Sequence, residues 1–307
     1  MAAAAAAVPR ARRRSLGRRV RIALVWLAIL LILILVWEGA KWLFGDPWRI
    51  HTTFFGLPID IEHRPPMRAR IATDLALPHI WKVVEAFIAP AQRNGPPLGL
   101  VLAGQALFTF REALIGFAVG GLLGLLLGIG FVHSRLAERA FVPYVVASQT
   151  VPILAISPLI VVATKAGWVS VAIISAYLTF FPVTIAALRG LRAADPRAFE
   201  LLRSYAAGRL SVLWKLRLPT SVPYLFSSLR VAAAASVIGA LIGELPSGIP
   251  DGLGASLLNY NQYYSQGPER LWATIIVCSI LGLAFVALVR LAEALLTRNR
   301  YRPVAGA

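Results

Sequence analysis

Uncharged stretches of about twenty residues recur along the chain, separated by clusters of arginine and lysine. Ala113 to Ser134, Ala140 to Thr164, Ala166 to Leu188 and Leu271 to Val289 contain no Asp, Glu, Lys or Arg. Each is long enough to cross ~30 Å of hydrocarbon as a helix, since in lipid a segment has to satisfy its own backbone polar groups. Two more spans are expected. Ile22 to Trp37 extends through Glu38 and Lys41 to Phe44 as a helix whose end snorkels, with Trp37, Trp42 and Trp48 suited to the interface. The other runs from about Leu218 to Gly243, where Arg230 restricts the deep portion to Val231–Gly243 and about one further turn. The pattern predicts an all-α polytopic membrane protein with about six transmembrane helices.

The polar segments divide the chain into a basic arm (1–21), a first span (22–44), a connection (45–104), a core of five spans (105–298) and a tail (299–307). Pro47, Pro58, Pro65, Pro66, Pro78, Pro90, Pro96 and Pro97 break the connection repeatedly. Within it, Ile80, Val83, Val84 and Phe87 stand at helical spacing, which predicts a short amphipathic helix along the membrane surface between His79 and Ala89, the rest being irregular. The second span carries Gly116, Gly120, Gly124 and Gly128, a spacing that lets helices approach closely. Pro143, Pro152 and Pro158 in the third span and Pro182 in the fourth interrupt the backbone ladder, which fits either a pathway lining or kinks used only for packing.

Composition changes this picture little, but charge orients it. The 307 residues are 58% hydrophobic with a mean hydropathy of +0.71, too apolar for a soluble surface. A formal charge of +17 invites a nucleic-acid reading. With the amino terminus inside, however, twenty lysines and arginines fall on the cytoplasmic side and eight on the other, six of those eight in the long connection. The positive-inside rule accounts for that distribution, no nucleic-acid partner is expected, and both termini are placed in the cytoplasm. The arm is expected to be disordered against anionic lipid. It resembles a signal n-region, but no small-x-small cleavage site precedes Trp37, so the first span is read as retained. Cys278 is the only cysteine and lies within a span, which excludes an intramolecular disulfide.

Candidate chemistry is sparse. No Gly-Lys dipeptide occurs, so a phosphate-cradling loop is excluded and no cofactor is expected on this chain. His51, His63, His79 and His133 are scattered, and the four uncharged spans hold no carboxylate, which argues against an intramembrane enzyme. A secondary-active transporter is the better rival, because broken helices suit it, yet such carriers need ionisable groups at membrane depth.

The most informative segment is the polar loop 189–221. Asp195 is a plausible N-cap with Pro196 at the first helical position, Ala198–Ala207 reads as a helix ending at Gly208, and a second helix runs from about Leu210 to Leu218 and stops at Pro219. Glu200, then Ala206, Leu216, Leu218 and Pro219 stand at the spacing of a cytoplasmic signature, EAA, three residues, G, nine residues, I-x-L-P. On these residues the chain resembles the permease subunits of binding-protein-dependent ABC importers of the type I fold. Leu201 and Leu202 replace the alanines, Ala206 replaces the glycine, and Gly208 is expected to take over the turn. LIGFAVGGLLGLLLGIG, SQTVPILAISPLIV and FFPVTIAALRGLRAADP are similar to the nitrate, sulfonate and taurine group, and GELPSGIPDGLGASLLNYNQYYSQG is closer to the subset for pyrimidine precursors and riboflavin.

The resemblance implies partners: two copies of an ATPase subunit that binds the ATP, a second permease copy in a homodimer, and a periplasmic solute-binding protein. It implies that Arg197 to Gly208 docks on the ATPase, with Glu200 fixing the loop or meeting the partner and Leu201, Leu202 and Tyr205 as the apolar anchor. Gln149, Thr150, Ser157, Tyr177 and Thr179 are candidates for the solute pathway, each equally readable as an interhelical hydrogen bond, and Glu244 is a candidate for its outer mouth. Asn259, Tyr260, Gln262, Tyr263 and Tyr264 fit either contact with the loaded binding protein or an interfacial aromatic belt.

Overall fold

The computed structural model describes residues 10–54, 57–165 and 167–297. The chain folds as two compact units, Met1–Glu85 and Ala86–Ala307. The start of the basic arm and the tail 299–307 lie outside the described residues.

In the first unit a single helix, α1 (Arg10–Phe44), includes the second half of the arm, which is therefore helical rather than disordered. Its apolar residues, among them Trp26 and Leu35, are exposed, as lipid-facing side chains are when no bilayer is present. The connection is less irregular than its prolines predict. β1 (Trp48–Phe54) and β2 (Leu57–His63) pair antiparallel in register Trp48 to His63, and Pro58 sits beside the tip, where a missing N–H is tolerated.

The end of α1 does not snorkel. Lys41 is fully buried, ion-paired with Asp74 and donating to the Ala72 carbonyl at 3.1 Å. Glu38 accepts from the Ile80 N–H at 2.7 Å and lies 2.9 Å from His79 Nδ1, while Trp37 Nε1 donates to the Pro78 carbonyl at 3.0 Å. Charges that a sequence reading sends to water are instead satisfied by residues some forty positions downstream, which closes the connection back onto the helix.

A short helix α2 (Ile80–Ile88) stands in the segment expected to be helical and buries Val83 and Ala86. In the second unit α3 (Leu98–His133) begins well before the uncharged stretch, taking residues 98–104 out of the connection. The uncharged stretch Ala140–Thr164, expected as the third span, is not one straight helix: α4 (Arg135–Ala147) and α5 (Ile153–Ala163) meet at 100°. Pro152 lacks an N–H and holds Val151 extended, at ψ 123°, which ends α4 and redirects the chain. The helices α6 (Trp168–Arg192), α7 (Pro196–Ser204), α8 (Arg209–Val212), α9 (Leu218–Ser247), α10 (Leu253–Gln262) and α11 (Pro268–Thr297) follow. Among the described residues five helices are long and apolar enough to span, or six with the α4–α5 pair.

α6 is the centre of the second unit. Gly116, Gly120, Gly124 and Gly128 of α3 press against it: a Cβ at Gly124 would stand 2.6 Å from the Phe180 carbonyl, and one at Gly128 2.5 Å from Ala187 Cβ. On another side Gly239 and Gly243 of α9 approach Ser175 Cα and Val171 Cα to 2.7 and 2.9 Å by the same measure. Between helices in lipid no solvent drives association, so close van der Waals contact and buried hydrogen bonds hold the core. Ser175 donates to Ser236 of α9, and Ser236 Oγ to the Ala113 carbonyl of α3 at 2.5 Å, so two serines join three helices.

Candidate functional site

The loop between α6 and α9 is built by local rules. Asp195 caps α7 by accepting from the Arg197 N–H at 2.9 Å, and Pro196 occupies the first turn. The helix ends in a Schellman turn: Ala207 N–H donates to Leu202 O and Ala206 N–H to Arg203 O. Ala206 itself takes the left-handed conformation, φ +51°, at the position of the signature's glycine. Gly208 is extended at φ −66°, so it does not take over the turn.

Beyond it the expected stop at Pro219 is also absent. α8 continues through one wide π turn, Leu213–Arg217, directly into α9, where Pro219 stands in the first turn and its missing N–H is harmless. The helix that emerges runs for 30 residues, longer than the deep portion assigned around Arg230, which pairs with Glu293 at 3.3 Å.

Arg217 lies 5.2 Å above the Phe199 ring, fastening α7 against the π turn. That leaves one surface bare. Leu201 is 58% and Tyr205 77% exposed, with Leu210 and Trp214 beyond, on a loop that lies past the ends of the apolar helices. Leu202 and Leu216 are half-buried, as is Pro219. Arg197 and Glu200 are exposed, and Glu200 has no hydrogen bond or ion pair among the described residues, so it does not fix the loop.

The pathway candidates are not brought together in one cavity. Gln149 and Thr150 are exposed in the short turn between α4 and α5, and Tyr177 of α6 donates from its hydroxyl to the Ser148 carbonyl at 2.5 Å, holding that elbow. Ser157 and Thr179 are buried and bonded to their own helices, at Leu154 O and Ser175 O. Glu244 does not border an open mouth. It is 1% exposed, accepts from the Gly254 N–H at 2.6 Å and faces Glu112 of α3, whose carboxyl oxygens have no donor among the described residues.

Glu112 escaped the sequence reading because it stands one residue before an uncharged stretch; continuing the helical register of Gly116 backward by four would have found it on the buried face. At the end of α3 away from the loop, a cavity of 790 Å³ is lined by Gln92, Gln105, Asn259, Tyr260, Tyr263 and Arg270, so part of the aromatic cluster borders a pocket. Burial raises the Tyr260 hydroxyl above its ordinary value, with Arg270 acting in the opposite direction.

Comparison with known proteins bears on both ends. Residues 120–299 match the family described as binding-protein-dependent transport system inner membrane component. The chain is 31% identical to the formylaminopyrimidine transport permease protein ThiX of Halalkalibacterium halodurans over 234 residues, covering 72% of this chain and 92% of that one. It is also 31% identical to the riboflavin transport system permease protein RibX of Chloroflexus aurantiacus, covering 63% and 71%. The crystal structure of an amino acid ABC transporter shares the fold at a TM-score of 0.50, with 15% identity over 64% of this chain and 94% of that one.

Proposed function

As the chain belongs to the family of binding-protein-dependent transport system inner membrane components, we propose that the bare face of α7 is the element through which a partner ATPase drives a small organic solute across the membrane. The protein is the multi-pass permease subunit of an ABC importer and not itself an enzyme; the ATP is hydrolysed by a partner. On that premise the secondary-carrier reading falls away.

The observation that carries the coupling role is the exposure of Leu201 and Tyr205 on a helix whose opposite side is pinned by the Arg217–Phe199 contact. Glu200, whose side chain has no hydrogen bond or ion pair among the described residues, stands beside them to meet the ATPase, and Ala206 holds the turn that presents all three. The distribution of lysine and arginine supports a cytoplasmic position for the loop and both termini. A homodimer with two ATPases is favoured because Ser157, Thr179 and Glu244 are enclosed within one copy, which leaves the solute a path between copies, past Gln149 and Thr150 at the elbow. Closure of the ATPases would swing the two permeases between two packings.

The solute is proposed to be a flat heterocycle or a small organic anion. Relatives named for formylaminopyrimidine and riboflavin motivate it, and the cavity at the far end of α3 offers Tyr260 and Tyr263 for stacking and Arg270 for charge. The test is copurification from detergent-solubilised membranes, comparing the native chain with a Leu201→Ser, Tyr205→Ser double variant. An ATPase that accompanies the first and is lost from the second, with unchanged helical content, is the expected result. Equal recovery from both overturns the assignment of the face.

A further inference from the structure

Beside the coupling loop, but apart from its bare face, lies a pocket of a different character. A cavity of 630 Å³ is lined by Arg135, Arg139, Arg192 and Arg217 with a single acid, Glu138. Glu138 is committed to Arg192 through a two-pronged ion pair between α4 and α6. Three guanidinium groups therefore face the cavity without a carboxylate of their own among the described residues. The Nε and Nη1 atoms of Arg217 are buried and have no hydrogen-bond partner there, a costly state for donors that never lose their charge. An anion carrying several acceptor oxygens is what such a pocket lacks, and a phosphate matches the fork of a guanidinium bidentately.

The position of α4 says which phosphate, because Arg135 follows directly on the end of the apolar helix α3. At about 100° per residue, Ala137, Phe141 and Tyr144 stand on the side of α4 away from Arg135, Glu138 and Arg139. This flank forms a groove of 490 Å³ with Leu126, Leu127 and Phe131 of α3, lined almost wholly by apolar atoms. One short helix thus carries charge on one side and an apolar groove on the other, and its first residues stand at the boundary of the apolar spans, where lipid headgroups lie. From this we infer that the arginine pocket binds the phosphate of an anionic phospholipid. The site is built from the same α6 end and π turn that support the coupling loop, so the bound headgroup completes the bonding of Arg217 and stiffens the base of that loop.

The experiment is native mass spectrometry of the purified full chain, without ATPase, titrated with phosphatidylglycerol, with phosphatidylcholine, and with glycerol 3-phosphate or inorganic phosphate as competitors. Selective retention of phosphatidylglycerol, unaffected by millimolar free phosphates, is expected. At roughly fivefold per arginine near a charged surface, an Arg135→Gln, Arg139→Gln double variant loses about twenty-five-fold in affinity. Both residues are exposed, so the variant keeps its fold, and Arg93→Gln, at the other end of α3, leaves retention unchanged. Equal retention of both lipids, or of phosphatidylglycerol by the double variant, overturns the inference. Displacement by free phosphate overturns the lipid as occupant. So does a double variant that binds lipid normally but no longer retains the ATPase, which would make the pocket a seat for the partner's acidic side chains.

Discussion

Ala206 carries a conformation that its side chain opposes. A left-handed residue with a Cβ costs about 1 kcal/mol relative to glycine, and the Schellman bonds of α7 hold it there. Ala206→Gly should therefore stabilise the turn by about 1 kcal/mol, seen as slower amide exchange at Ala206 and Ala207, whereas Gly208→Ala, at an extended position, should change it little.

A second residue-scale device is the cluster under α2. Burial pushes the His79 imidazole below its ordinary value despite the Glu38 carboxylate beside it. Asp74, raised by burial, is nonetheless held low by Lys41 and Lys82. The signs agree. Below about pH 6.5 the unfolded chain takes up the histidine proton before the folded one does, and below the usual aspartate range the Asp74 contribution is lost too, so acid loosens this unit. Trp48 and Trp81, packed edge to face at 5.6 Å, report it. Their fluorescence should shift as pH falls from 7 to 5, and His79→Gln should flatten that response; an unchanged slope would disprove the role of His79.

At the scale of the element, the glycine seam makes the sharpest claim. Gly124→Ala places a methyl against the Phe180 carbonyl and should destabilise the bundle by about 1–3 kcal/mol, while Gly121→Ala, whose Cβ finds only Leu229 at 3.9 Å, should be neutral. Thermal unfolding in detergent separates them.

The seam was legible in the sequence because its spacing repeats every four residues along one helix. So were the cap at Asp195 and the loop itself. What escaped depends on partners distant in sequence. Lys41 reads as a snorkelling cation until Asp74 arrives, Glu112 reads as a span boundary until Glu244 meets it, and the elbow at Pro152 reads as a kink within one span until 100° of bend divides it. Pro219 misled in the other direction, since the helix that arrives from α8 does not stop there but widens into the π turn Leu213–Arg217 and passes on into α9.

For the whole molecule, the proposal fixes a sidedness. In a Cys278→Ala background, a thiol introduced as Ser204→Cys should react with a membrane-impermeant reagent only from the cytoplasm. One introduced as Tyr263→Cys should react only from outside. Reaction of both from one side would place the loop and the aromatic cavity on the same face and remove the transport geometry.

The close seating of α6 has a further consequence for how such a machine moves. A helix gripped by backbone-to-backbone contact on two flanks, and stitched by the Ser175–Ser236 relay, has no slack for rotation or sliding, so α3, α6 and α9 travel as a single keel. On the proposed function, force entering through α7 would reach that keel directly, and the α4–α5 elbow, held to it by the hydroxyl of Tyr177, is the break in the helices where the chain would bend.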